Sequence, residues 1–176
     1  RFFDRAFRSY FQDAAVSVAK VEAVKISNMG SSIITELTSH KVNKMVGHFP
    51  FKIQIEGQEK PIDVMLKVKP LDAEVILVSN SIAAMCDARL AQSYNKFKDK
   101  LEFKGCHTRE LFVMSQKDER FRKHAPITYF TLDDPGREAF VLVQEFMSGL
   151  ELMDSADDVS GWTEEHIVAA IEGMAE

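Results

Sequence analysis

Ile62-Asp63-Val64-Met65-Leu66-Lys67-Val68-Lys69-Pro70 is the stretch from which the fold of this chain can be worked out. Apolar residues fill one alternating set of positions, Ile62, Val64, Leu66 and Val68, and Met65 adds one from the other set. The spacing predicts a strand covered on both faces, ended by Pro70, which cannot continue a ladder. A central Lys has no structural use in such a strand, because a buried ammonium without a partner costs several kcal/mol. Farther on, His107-Thr108-Arg109-Glu110-Leu111-Phe112-Val113-Met114 has helical spacing, and its Glu110 can supply that partner. A Lys held by a carboxylate in this way can grip the phosphates of a nucleotide.

Working outward, Phe49-Pro50-Phe51-Lys52-Ile53-Gln54-Ile55 alternates and predicts a neighbouring strand, with Glu56-Gly57-Gln58-Glu59-Lys60 as the turn between them. Val24-Lys25-Ile26, Asn28-Met29-Gly30-Ser31-Ser32 and Ile33-Ile34-Thr35-Glu36-Leu37-Thr38 read as strand, small-residue turn and strand. Residues 21–70 are therefore expected to form an antiparallel sheet. Before them, Phe2, Phe3, Ala6, Phe7, Tyr10 and Phe11 recur at helical spacing and predict an amphipathic helix within residues 1–20. Its polar face is of mixed charge, which suits docking on the domain better than lying on a membrane.

Beyond Pro70, the pattern predicts one long helix from Asp72 to about Leu101, broken near Asn80-Ser81, and a second from Cys106 to Arg122. Pro126 to Leu132 and Ala139 to Met147 read as a strand hairpin around Asp133-Asp134-Pro135-Gly136-Arg137. A polar connection through Asp154, Asp157 and Asp158 reads as a solvated loop, and Trp162 leads into a last helix with Thr163 as N-cap.

Composition narrows the function classes. The chain has 176 residues, 45% of them hydrophobic, and thirteen Phe and eight Met supply bulk for a core. A formal charge of -5 weighs against a nucleic-acid surface, which needs a basic face. No apolar run approaches the length of a membrane span and no signal-peptide pattern opens the chain. Cys86 and Cys106 lack C-x-x-C spacing and read as reduced thiols of a cytoplasmic protein. The five His are scattered, which argues against a zinc site. Ser31 and Ser32 lack the G-x-S-x-G of a hydrolase elbow. The first residue is Arg1, and Glu176 falls inside a helical pattern, so the chain is expected to be a piece of a longer protein.

The element order, together with Gly30-Ser31-Ser32, Leu66-Lys67-Val68, Arg109-Glu110-Leu111 and Val141 to Met147, resembles the N-terminal lobe of the protein-kinase-like phosphotransferases. Within these, the aminoglycoside and choline phosphotransferase branch is the most similar. The resemblance covers residues 21–176 and implies a nucleotide-binding lobe over 21–147, preceded by a helical extension over 1–20. Residues 148–176 would be the hinge and the first helix of a second lobe.

It also implies roles. Lys67 would contact the nucleotide's inner phosphates, with Lys69 on the same strand face as its rival, and Glu110 would be the ion-pair partner. Lys67 is preferred because it is embedded among Met65, Leu66 and Val68, whereas Lys69 abuts Pro70. Gly30, Ser31 and Ser32 would close over the phosphates, although an ordinary hairpin turn explains them nearly as well. Glu145 and Met147 would offer backbone groups to an adenine edge, with Gln144 behind them. ATP and magnesium would be the cofactors and a small hydroxyl-bearing molecule the acceptor. The catalytic Asp and the metal-binding groups of that family have no counterpart, because the sequence contains no H-x-D-x-x-x-x-N or H-G-D segment. Alone, the chain is thus expected to bind nucleotide only weakly and to transfer no phosphate, and to self-associate through an exposed surface including Val143 and Met147. The expected fold is α+β, a five-stranded antiparallel sheet with one packed helix. The alternative function is a non-catalytic ligand-binding or interaction module of pseudokinase type.

Overall fold

A computed structural model describes residues 1–25, 45–101, 104–147, 149–150 and 159–175. Five strands, β1 (Val18–Ala23), β2 (Gly47–Ile55), β3 (Ile62–Val68), β4 (Thr128–Asp134) and β5 (Ala139–Glu145), form one sheet in the order β1-β2-β3-β5-β4. Every neighbouring pair is antiparallel. The expected five-stranded α+β architecture is the one observed. β1 does not coincide with the expected strand Val24-Lys25-Ile26: it ends at Ala23, Val24 and Lys25 lie beyond it, and Ile26 lies outside the described residues.

Helix α1 (Phe2–Phe11) covers one sheet face. Its apolar stripe places Phe7, fully buried, among Val18, Ile53, Val64, Leu66, Val141 and Val143. Burying a side chain of this size contributes about 2–3 kcal/mol. Phe3 meets Phe51 edge-on at 5.6 Å, and Phe7 meets Tyr129 at 5.4 Å. A register shift between Thr128 and Phe130 lets both Tyr129 and Phe130 pack toward α1, since a bulge turns consecutive residues to one side. Asp4 fixes the helix to β1 by accepting a hydrogen bond from the Val18 N–H at 2.9 Å. That bond, outweighing the effect of burial, holds the Asp4 carboxyl below its ordinary value.

Val143, expected on an exposed surface, lies fully buried in this core, whereas Met147 is exposed. The correction follows from pairing: Val143 sits opposite Leu66 in the middle of the sheet.

The helical region also departs from expectation. Instead of one helix broken near Asn80-Ser81 there are two, α2 (Asp72–Cys86) and α3 (Ala88–Phe97), parted at Asp87. Asp87 has an extended backbone, and its carboxylate accepts from the N–H groups of Arg89 and Leu90, an N-cap that starts a new helix. Ser81 stays helical because its hydroxyl donates to Leu77 O at 2.9 Å. The expected helix over 106–122 is likewise two, α4 (Cys106–Met114) and α5 (Glu119–Lys123), with Asp118 capping the second. α6 (Glu164–Ala175) is the last helix, and Thr163 Oγ1 accepts from the His166 N–H at 3.3 Å, as an N-cap does. No helix among the described residues is long and apolar enough to cross a membrane.

Candidate functional site

The face of the sheet opposite α1 carries the charged groups. Alternation along β3 sends Val64 and Leu66 toward α1 and Lys67 the other way. On β5 the same alternation sends Phe140 and Leu142 to a second apolar cluster with Leu111 of α4. α4 is thereby seated over β5, and Glu110, beside Leu111, is aimed at the end of β3.

Lys67 Nζ lies 3.0 Å from Glu110 Oε1. Lys69 Nζ contacts the other carboxylate oxygen, Oε2. One carboxylate therefore bridges two ammoniums that stand two residues apart on one strand face. All three side chains are half-buried, 22%, 18% and 30% exposed for Lys67, Lys69 and Glu110. Burial alone would push the Glu110 carboxyl up, but the Lys69 and Lys67 ammoniums more than reverse this, and it sits below its ordinary value. The geometry places Lys69 on Glu110 as directly as Lys67 and does not by itself separate the two lysines.

His48 of β2 completes the cluster. It is the cross-strand partner of Lys67 and shares its face. Burial first, then the Lys67 and Lys69 charges, hold its imidazole below the ordinary value, with Glu110 opposing. Sequence reading passed over His48 among scattered histidines. Its signal was its even spacing from Pro50 and Lys52 on a strand whose odd positions are Phe49, Phe51 and Ile53.

The N-terminus of α4 is held by a residue that sequence reading did not single out. Asp72, the first residue of α2, accepts from the backbone N–H of Gly105 at 2.5 Å and of Cys106 at 3.2 Å. It also stands 3.0 Å from His107 Nδ1. Gly105 adopts φ 72°, a left-handed conformation that favours glycine, and so starts the helix with no capping side chain of its own.

The remaining expected residues are placed unevenly. Gly30, Ser31 and Ser32 lie outside the described residues. Glu145 ends β5; its N–H donates to Ile127 O at 2.7 Å, and its carboxylate accepts from Ile127 N at 3.2 Å. A cavity of about 600 Å³ opens beside Glu145, Phe146 and Met147, with Asp63 on its far wall. Gln144 is buried, and its Oε1 has no hydrogen-bond partner among the described residues. It faces Met65, two residues from Lys67, so it belongs to the same sheet face. No group of three or more His, Cys, Asp or Glu side chains among the described residues is arranged to hold a metal ion. No protein-family model, curated protein or solved structure matches the chain.

Proposed function

We propose that this chain is the nucleotide-gripping part of an ATP-dependent phosphotransferase that modifies a hydroxyl of a small molecule. The observation that carries the reading is the charge balance at the end of β3: two half-buried ammoniums share one carboxylate, which among the described residues leaves one positive charge over. A polyphosphate would supply the missing negative charge and accept hydrogen bonds from both lysines. Glu110 would keep the ammoniums oriented before the phosphate arrives, so that little reorganisation is needed on binding. The backbone of Glu145 and Met147, toward the opposite end of β3, would meet the base; the cavity beside them is also lined by Ile62 and Tyr129 from the α1 side of the sheet.

Magnesium would bridge the phosphates in such a reaction, but none of the described residues is assigned to it. The general base is likewise sought outside the motifs of this sequence. Lys67, Lys69 and Glu110 hold and orient phosphate; abstraction of the acceptor's proton belongs to other groups.

The test is a phosphotransfer assay on the intact protein with ATP, magnesium and a panel of aminoglycosides, choline and amino alcohols. Turnover is expected, with Lys67→Ala lowering it by about 10²–10³-fold, the scale of losing one positioned charge at a transition state. Lys69→Ala is expected to cost less. Retention of full turnover in both variants would end the phosphotransferase reading, and binding without turnover on every acceptor would favour a non-catalytic module.

A further inference from the structure

We infer that Asp72 is a positioning residue for the candidate phosphate site: it ties the N-terminus of α4 to the segment leaving β3 and so sets whether Glu110 reaches the lysines. The role in nucleotide binding rests on the function proposed above; the tether itself does not.

The argument starts from chain order. Lys67 lies near the end of β3, which closes at Val68; Lys69, Pro70 and Leu71 follow, and Asp72 opens α2. Asp72 is thus anchored three residues from Lys69, on the same stretch of backbone. Lys69 N donates to Phe140 O at 2.9 Å, which holds that stretch against β5. From here the Asp72 carboxylate reaches across to α4, accepting from Gly105 N, Cys106 N and, since an ionised carboxylate only accepts, from an N–H at His107 Nδ1. A helix leaves its first N–H groups unpaired, and Gly105 offers no side chain to meet them. Asp72 performs that capping from a different helix.

Glu110 lies one turn beyond His107 on α4. His107 is also pinned edge-on against Phe140 at 4.3 Å. The apolar contacts of Leu111 with Phe140 and Leu142 attach α4 to the sheet but allow sliding, because apolar packing has little directionality. Hydrogen bonds from three donors to one carboxylate fix the helix end in position. The same residue therefore references both halves of the ion-pair cluster, the strand end with its lysines and the helix with its glutamate.

The experiment is zero-length carbodiimide cross-linking of the intact protein, which joins a carboxylate to an ammonium in contact. The Glu110 links to Lys67 and Lys69 are mapped by proteolysis and mass spectrometry; all three side chains retain solvent access. Asp72→Ala is expected to lower the yield about fivefold, the scale of a lost helix cap. Asp72→Asn, which keeps one oxygen acceptor but turns the other into a donor facing an N–H, should show an intermediate loss. Glu74→Ala is the control: it removes the acceptor for Leu71 N at the same end of α2 while leaving the Asp72 carboxylate in place, so the yield should hold. Circular dichroism and thermal midpoints report folding, and if Asp72→Ala unfolds, the comparison of Asp72→Asn with Glu74→Ala decides: Asp72→Asn should then show the larger loss. An unchanged yield in the folded Asp72 variants, or an equal loss in Glu74→Ala, overturns the inference. ATP affinity is read in parallel. A loss of cross-link without a loss of ATP affinity supports the tether and counts against the phosphate reading, so the two ideas fail separately.

Discussion

At the scale of single residues, the account turns on groups whose burial is incompletely matched. Lys67 was visible in the sequence as a cation in an apolar strand, and Glu110 as the carboxylate of a following helix. The equal claim of Lys69 on that carboxylate was less visible, because position next to Pro70 says little about where a long side chain ends. Gln144 offers a different mismatch, a buried amide whose oxygen has no partner among the described residues. An unpaired buried acceptor costs about 1–3 kcal/mol, so Gln144→Leu, similar in volume, is expected to stabilise the fold by about 1 kcal/mol in denaturant titration. A loss of stability would mean that the amide is satisfied in solution. His48 makes a prediction in pH. Its folded-state pKa is depressed below 6.5, so the unfolded chain binds the proton first. Stability contributed by neutral His48 is present above pH 6.5 and is lost as pH falls below it toward the folded value. His48→Gln should flatten that part of the stability profile, and an unchanged slope would show that the His48 pKa is not depressed in the folded chain.

At the scale of elements, strands were more legible than helices. Alternation in β2 and β3 and the apolar run in β5 fixed their limits to within about two residues, because side-chain period and turn residues agree there. The helical stretch from Asp72 to Leu101 was misread at its break, since Asn80 and Ser81 are poor helix formers by propensity alone. In the structure Asn80 Oδ1 accepts from Asn95 Nδ2 of α3 at 2.8 Å, a contact between helices that overrides propensity. The better signal was Asp87, an N-cap type followed by Ala88 and Arg89. Asp87→Ala should cost about 1 kcal/mol by removing that cap. Thermal unfolding checks this, and no shift would argue for a continuous helix in solution. The tether from Asp72 to α4 was not legible at all, because its partners are backbone groups more than thirty positions away.

At the scale of the whole molecule, α1 is part of the core rather than an appendage to it. Phe7 is fully buried where α1 meets the sheet, against Tyr129 of β4, so Phe7→Ala should destabilise by about 3–5 kcal/mol, measured by chemical denaturation. A change below about 1 kcal/mol, the size expected of a surface site, would mean that α1 docks only loosely. The opposite face is organised differently, with a small apolar cluster seating α4 and a charged cluster at the end of β3. We propose that this charged cluster takes phosphate. Calorimetric titration of the protein with ATP and with adenosine tests it most directly, because the two ligands share the base and ribose and differ in the phosphates alone. The account predicts that ATP binds the more tightly, that the difference shrinks as salt is raised, and that Lys67→Ala removes most of it. Equal binding of ATP and adenosine, or an ATP affinity untouched by Lys67→Ala and Lys69→Ala, would contradict it.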